Sequence, residues 1–186
     1  IRARLNRCSI YMALDEGRKA LDDAEILLDL APNFTLARFK KAEAEMALGE
    51  WANARANLEI VLEKAPHHHQ ALTQLASCFI ALNRHERAET PLNDALRISQ
   101  NYAPAWHQRG LLYLEWGRDD NALSDFEAAV KCDSNHLDAH LHIAALHHEA
   151  ERFDEAGAGW RAVLAIDEDH VVARTRLDEC EIKLMS

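Results

Sequence analysis

The chain has few of the residues that interrupt helices. Its 186 residues include six glycines and four prolines, the two residue types that fit worst inside a helix. This scarcity favours helix along the whole chain. No apolar run approaches the roughly 20 residues that a membrane-spanning helix needs, so the sequence predicts no membrane insertion.

Motifs for catalysis and cofactor binding are also missing. The sequence contains no glycine-rich phosphate loop, no nucleophile elbow and no metalloprotease motif. Acid–base neighbours such as His148 and Glu149 are adjacent, and adjacent residues on a helix do not face each other. We therefore predict that the chain is not an enzyme and binds no cofactor.

Cysteine is scarce, and its spacing forms no pair of the CxxC type. Such cysteines are expected to be small buried hydrophobes in a reducing compartment, which predicts a cytoplasmic location. Because the first residue is Ile1 and not methionine, we also expect a truncated N-terminus. The four are Cys8, Cys78, Cys132 and Cys180.

Basic residues are outnumbered, and the formal net charge is −10. The excess lies in residues 103–136, with 3 basic and 6 acidic side chains, and in residues 137–170, with 2 and 8. A surface of this sign repels phosphate backbones and anionic lipids. Nucleic acid is therefore not an expected partner.

Alanine, by contrast, recurs every 34 residues in two separate columns. Two columns at one spacing indicate a tandem repeat. One column is Ala20, Ala54, Ala88, Ala122 and Ala156, and the other is Ala3, Ala37, Ala71, Ala105 and Ala139.

The period divides the chain into units of two helical stretches separated by a turn signal. The eighth position of a unit is small and the 24th is large in most units, as with Gly110 and Phe126, so we expect these positions to pack together. Pro104 fits the first turn of a helix. The predicted units are 1–34, 35–68, 69–102, 103–136 and 137–170, followed by a capping helix at 171–186.

This pattern resembles the tetratricopeptide repeat (TPR) family. The fourth unit carries it best, with Trp106, Gly110, Tyr113, Ala122 and Phe126. The resemblance covers residues 1–170 and implies an all-α, right-handed solenoid of five helix–turn–helix units. Arg4, Arg38 and His140 depart from the family pattern, which has a bulky residue at their positions.

The resemblance also implies where a ligand would bind, because first helices line the concave face in this family. The implied function is a non-catalytic scaffold that binds a peptide or protein segment through apolar anchors edged by hydroxyl and amide groups. That these residues merely pack against the neighbouring first helix stays an open alternative. The candidates are Phe39, Glu43, Met46, Thr73, Gln74, Ser77, Ile80, His107, Gln108, Leu111, Leu114 and His148.

Two other functions remain open at this stage. One is self-association through the N-terminal end of the stack, and the other is a substrate-docking arm of a larger enzyme or of a secretion or assembly complex. The lysine–asparagine pairs with which some family members hold chaperone carboxylates are missing.

Histidine is frequent, with 11 residues. A zinc site needs about four converging ligands, and the HxxxH pair of His136 and His140 begins in a turn, so we predict no metal site. His140 and His147 occupy packing positions of the family. We expect both to be buried and neutral, with a lowered pKa.

Overall fold

The computed structural model describes residues 1–185, and these form helices joined by short turns. The chain divides into two compact units, residues 1–100 and residues 101–186. The first unit contains α1 (Arg2–Ala13), α2 (Gly17–Leu30), α3 (Thr35–Ala47), α4 (Trp51–Lys64), α5 (His69–Ala81), a 3-10 turn (His85–Arg87) and α6 (Glu89–Ile98). The second contains α7 (Ala103–Glu115), α8 (Asp119–Cys132), α9 (Leu137–Glu149), α10 (Phe153–Ile166) and α11 (Val171–Met185).

Within each unit, every helix packs against the next one along the chain. The turn inside each hairpin contains a left-handed residue at the same repeat position: Asp15, Gly49, Asn83, Gly117 and Glu151 all have a positive φ. The backbone N–H of the following residue then donates to a carbonyl five residues back, as Arg118 does to Tyr113. This is the hydrogen bond that closes a Schellman motif at a helix C-terminus.

The alanine columns form the centre of the packing. Nine of the ten column alanines have no exposed surface, and Ala3 on α1 is the exposed one. The predicted contact of a small with a large residue is confirmed at Gly110, where an added methyl group would lie 2.6 Å from the Phe126 ring. The division into five 34-residue units with a capping helix stays a prediction.

Candidate ligand groove

An open cavity of about 440 Å³ lies on the first unit, between α1, α3 and α5. It unites three of the predicted site residues, Glu43, Met46 and Gln74. Its lining consists of Ser9, Met12, Lys40, Glu43, Met46, Ala47, Trp51 and Gln74, and we call this surface the groove.

Polar contacts connect α3 with α5 along the groove. Lys40 Nζ lies 2.7 Å from Glu43 Oε2, and Gln74 Nε2 donates to Glu43 Oε1 at 3.1 Å. The other amide atom of Gln74, its oxygen, is buried and accepts no hydrogen bond within the described residues. A carboxylate, an ammonium and an amide thus lie side by side, the groups that hydrogen-bond a peptide backbone.

Apolar surface in the groove comes from Met12, Met46 and Trp51. Methionine is flexible and polarizable, so paired methionines fit side chains of different shapes. Trp51 lies at the start of α4, a second helix, and the first-helix positions read from the sequence could not have identified it.

Two predicted anchors do not face the groove. Phe39 is 5% exposed, and its ring packs against the His68 ring with centroids 4.7 Å apart. Thr73 is 4% exposed, and its hydroxyl donates to the His69 carbonyl at 3.0 Å. Both side chains are buried inside the first unit, and neither lines the groove.

Ser77 and Ile80, also on α5, lie outside the groove and are half-buried. The Ser77 hydroxyl donates to the Thr73 carbonyl at 3.2 Å, a bond to its own helix. Neither residue contributes a wall to the cavity.

The predicted residues of the second unit lie in different surroundings. Leu111 and Leu114 pack against the core around Phe126. Gln108 is half-buried, and the His107 ring contacts other imidazole rings. His148 lines a smaller cavity of about 290 Å³ between α9, α10 and α11. Its Nδ1 lies 3.4 Å from Cys180 Sγ.

His140 and His147 were expected to be buried, and both are half-buried. His140 Nε2 lies 3.0 Å from the Ser134 carbonyl oxygen, whereas His147 Nδ1 is buried and has no hydrogen-bond partner within the described residues. Burial lowers the pKa of His107 to about 4, and burial also lowers the pKa of His142 and His68. The family positions that guided the prediction indicate bulky packing residues, and a polar ring can rotate outwards to a carbonyl.

Within residues 1–185, no cluster of three or more His, Cys, Asp or Glu side chains is placed to hold a metal ion. In the same range no helix is both long enough and apolar enough to cross a bilayer.

Comparison with known proteins identifies the family. Models of the tetratricopeptide repeat match residues 39–103 and 103–136, which together are more than half of the chain. The chain belongs to the tetratricopeptide repeat family. No curated protein matches it significantly.

Solved structures share its fold. TTC0263, a thermophilic TPR protein of Thermus thermophilus, has a TM-score of 0.81 at 24% identity, with 97% of this chain and 98% of that one covered. PilF of Pseudomonas aeruginosa has a TM-score of 0.83 at 15% identity, over 98% and 89% of the two chains. YrrB, a TPR protein with an unusual peptide-binding site, has a TM-score of 0.67 at 21% identity, over 92% and 89%.

These likenesses confirm the predicted fold class, an all-α solenoid. The tetratricopeptide fold is generally a non-catalytic scaffold for protein–protein interaction.

Proposed function

We propose that the chain is a non-catalytic scaffold that binds an extended or helical peptide segment of another protein in the groove of its first unit. The observation that carries this proposal is the cavity of about 440 Å³ between α1, α3 and α5. It combines a methionine and tryptophan surface with a polar edge, the combination that apolar side chains on a peptide backbone require. The peptide-binding site named for YrrB, at 21% identity, gives the proposal support by analogy.

The apolar wall sets the expected ligand chemistry. Met12 and Met46 are half-buried, so a ligand side chain inserted between them displaces water from surface that is already partly enclosed. The partly buried Lys40–Glu43 pair offers one donor and one acceptor beside it. A peptide with one or two large apolar side chains and an unblocked backbone fits this arrangement.

A phage-displayed peptide library tests the proposal. Peptides selected on the wild-type chain should lose binding to the Met12→Glu/Met46→Glu variant by at least about tenfold, because each substitution places a charge in an apolar contact. Ile26→Glu is the matched control, since Ile26 is 38% exposed on α2 and outside the groove. Equal helicity by circular dichroism is required of all three proteins. Peptides that bind the double variant as well as the wild type would contradict the groove assignment.

Self-association is a second candidate function, and one observation favours it. Ile10 on α1 is 57% exposed, whereas the residues at 34-residue steps from it are all buried: Ala44, Cys78, Leu112, Leu146 and Cys180. An exposed apolar residue at a repeat position that is otherwise used for helix packing is a candidate contact between two copies of the chain. Light scattering over a concentration series should show association that Ile10→Glu abolishes, and a concentration-independent monomer mass would rule this candidate out.

A further inference from the structure

Histidine side chains cap three helices of this chain. At the start of α5, α9 and α11, an imidazole Nδ1 accepts a hydrogen bond from a backbone N–H three residues on, at 3.2, 3.4 and 3.2 Å. The ring nitrogen can accept only while it is unprotonated. Protonation would therefore remove the cap and place a cation at the positive end of the helix dipole. The capping residues are His68, His136 and His170.

In the second unit one of these caps belongs to a cluster of packed imidazoles. The His107 ring on α7 lies 4.7 Å from the His136 ring and 5.6 Å from the His142 ring of α9, measured between centroids. His142 stacks on Phe126 of α8 at 4.7 Å with an interplanar angle of 15°. His107 Nε2 is buried and has no hydrogen-bond partner within the described residues.

Burial and the mutual packing of the imidazoles favour the neutral state of the cluster, and the one carboxylate beside it opposes that state. Burial lowers the pKa of His107 to about 4, and the neighbouring His136 and His142 contribute to this lowering, while Asp138 on α9 opposes it. Burial likewise lowers the pKa of His142, with Asp138 again opposing and His136 adding to the effect. A single protonated imidazole beside Phe126 would gain a cation–π contact, which offsets part of its cost. The free-energy cost of protonating the cluster therefore comes mostly from the second proton.

We propose that His107, His136 and His142 form an acid-sensitive latch that joins α7 to α9, closed while the three rings are neutral and progressively weakened as the pH falls below about 6.5, because the opened chain then binds protons that the packed rings exclude. Two costs keep protons out of the closed latch: a protonated His136 ring could not accept the Ala139 N–H at the start of α9, and two charged rings held side by side by the packing would repel each other. The latch lies within the second unit and does not depend on the proposed peptide groove.

The sign of the pH effect follows from linkage. The unfolded chain protonates its histidines near pH 6.5, above the folded value for His107. The stability that the neutral rings contribute is therefore complete above about pH 6.5 and is lost as the pH falls from there towards 4. Between pH 7.5 and pH 5, we expect the unfolding equilibrium constant to rise by at least about tenfold from this cluster.

Urea unfolding at pH 7.5 and pH 5 tests the latch, with hydrogen exchange of residues 137–149 as the local readout. In His107→Gln/His136→Asn/His142→Gln the rings cannot titrate, and asparagine keeps an N-cap at any pH. We expect the rise in the unfolding constant and the faster exchange at pH 5 to disappear in this variant. His67→Gln, which removes an exposed histidine, should keep both. An undiminished pH effect in the triple variant overturns the proposal.

If the triple variant does not fold, a measurement on the wild-type chain provides a second test of the latch. Imidazole proton resonances followed by NMR should show the pKa of His107 and the pKa of His142 below the value of about 6.5 of a free imidazole. A pKa near 6.5 for both rings overturns the latch.

Discussion

Arg109 binds Asp125 with two parallel hydrogen bonds, Nε to Oδ2 at 2.7 Å and Nη2 to Oδ1 at 2.8 Å. Their side chains are 17% and 5% exposed. Three 34-residue periods earlier, Arg7 donates to both oxygens of Asp23 in the same way. The arginine joins the first helix of a hairpin to the second at the same repeat position in both units of the chain.

Removal of the buried carboxylate should destabilise the second unit. We expect Asp125→Ala to lower the free energy of unfolding by about 3 kcal/mol, because it leaves the Arg109 guanidinium withdrawn from water without its partner. Urea unfolding measures the loss.

The exposed pair Arg97–Asp94, at 72% and 43% exposure, supplies the control. Asp94→Ala should change the free energy of unfolding by less than about 1 kcal/mol. Equal losses in the two variants would show that burial does not decide the contribution of the Arg109–Asp125 pair.

Replacement of Gly110 by alanine should destabilise the chain, although Gly110 lies inside a helix. Its Cβ would lie 2.6 Å from the Phe126 ring, and overpacking of this kind costs about 1–3 kcal/mol, more than the helix propensity that alanine adds. Thermal unfolding of Gly110→Ala should therefore show a lower midpoint.

Gly157 provides the opposite case on α10. Its added Cβ would meet no atom closer than 3.7 Å, so Gly157→Ala should stabilise the chain by about 0.5–1 kcal/mol. Stabilisation at both glycines would contradict the close approach of α7 and α8.

Thiol reactivity should differ sharply among the four cysteines. Cys8, Cys78 and Cys180 have no exposed surface, and burial raises the pKa of Cys78 to about 12, whereas Cys132 is partly exposed. Since the thiolate is the reactive form, a thiol reagent should modify Cys132 first and the other three only on unfolding. Mass spectrometry of partly labelled protein locates the label, and early modification of Cys78 would be the contrary result. The reducing compartment stays a prediction.

The repeat period predicted the helices and turns well because both depend on local sequence. Alanine columns, turn residues and the Gly110–Phe126 contact all follow from a spacing that is visible in the chain. The Arg7–Asp23 and Arg109–Asp125 pairs also follow the 34-residue period, because they occupy the same two positions of the repeat. Apolar and small positions alone do not reveal these pairs, because they mark packing and not charge.

The candidate site was only partly predictable. Glu43, Met46 and Gln74 line the groove, whereas Phe39 and Thr73 are buried and do not; ligand binding by the first three stays a prediction. A residue's position in the repeat determines only approximately the direction in which its side chain points from the helix. The size of the neighbouring side chains then decides which residues remain exposed. The histidines show the same limit, since repeat position singled out His140 and His147 and did not identify the His107–His142 contact between α7 and α9.

Photo-crosslinking reports directly whether a peptide occupies the groove of the first unit. A photoreactive phenylalanine analogue at position 12 should crosslink to a peptide selected on the wild-type chain, and the same analogue at position 26, on the outside of α2, should not. Mass spectrometry of the crosslinked product identifies the attachment. Crosslinking from position 26 with none from position 12 would contradict the claim.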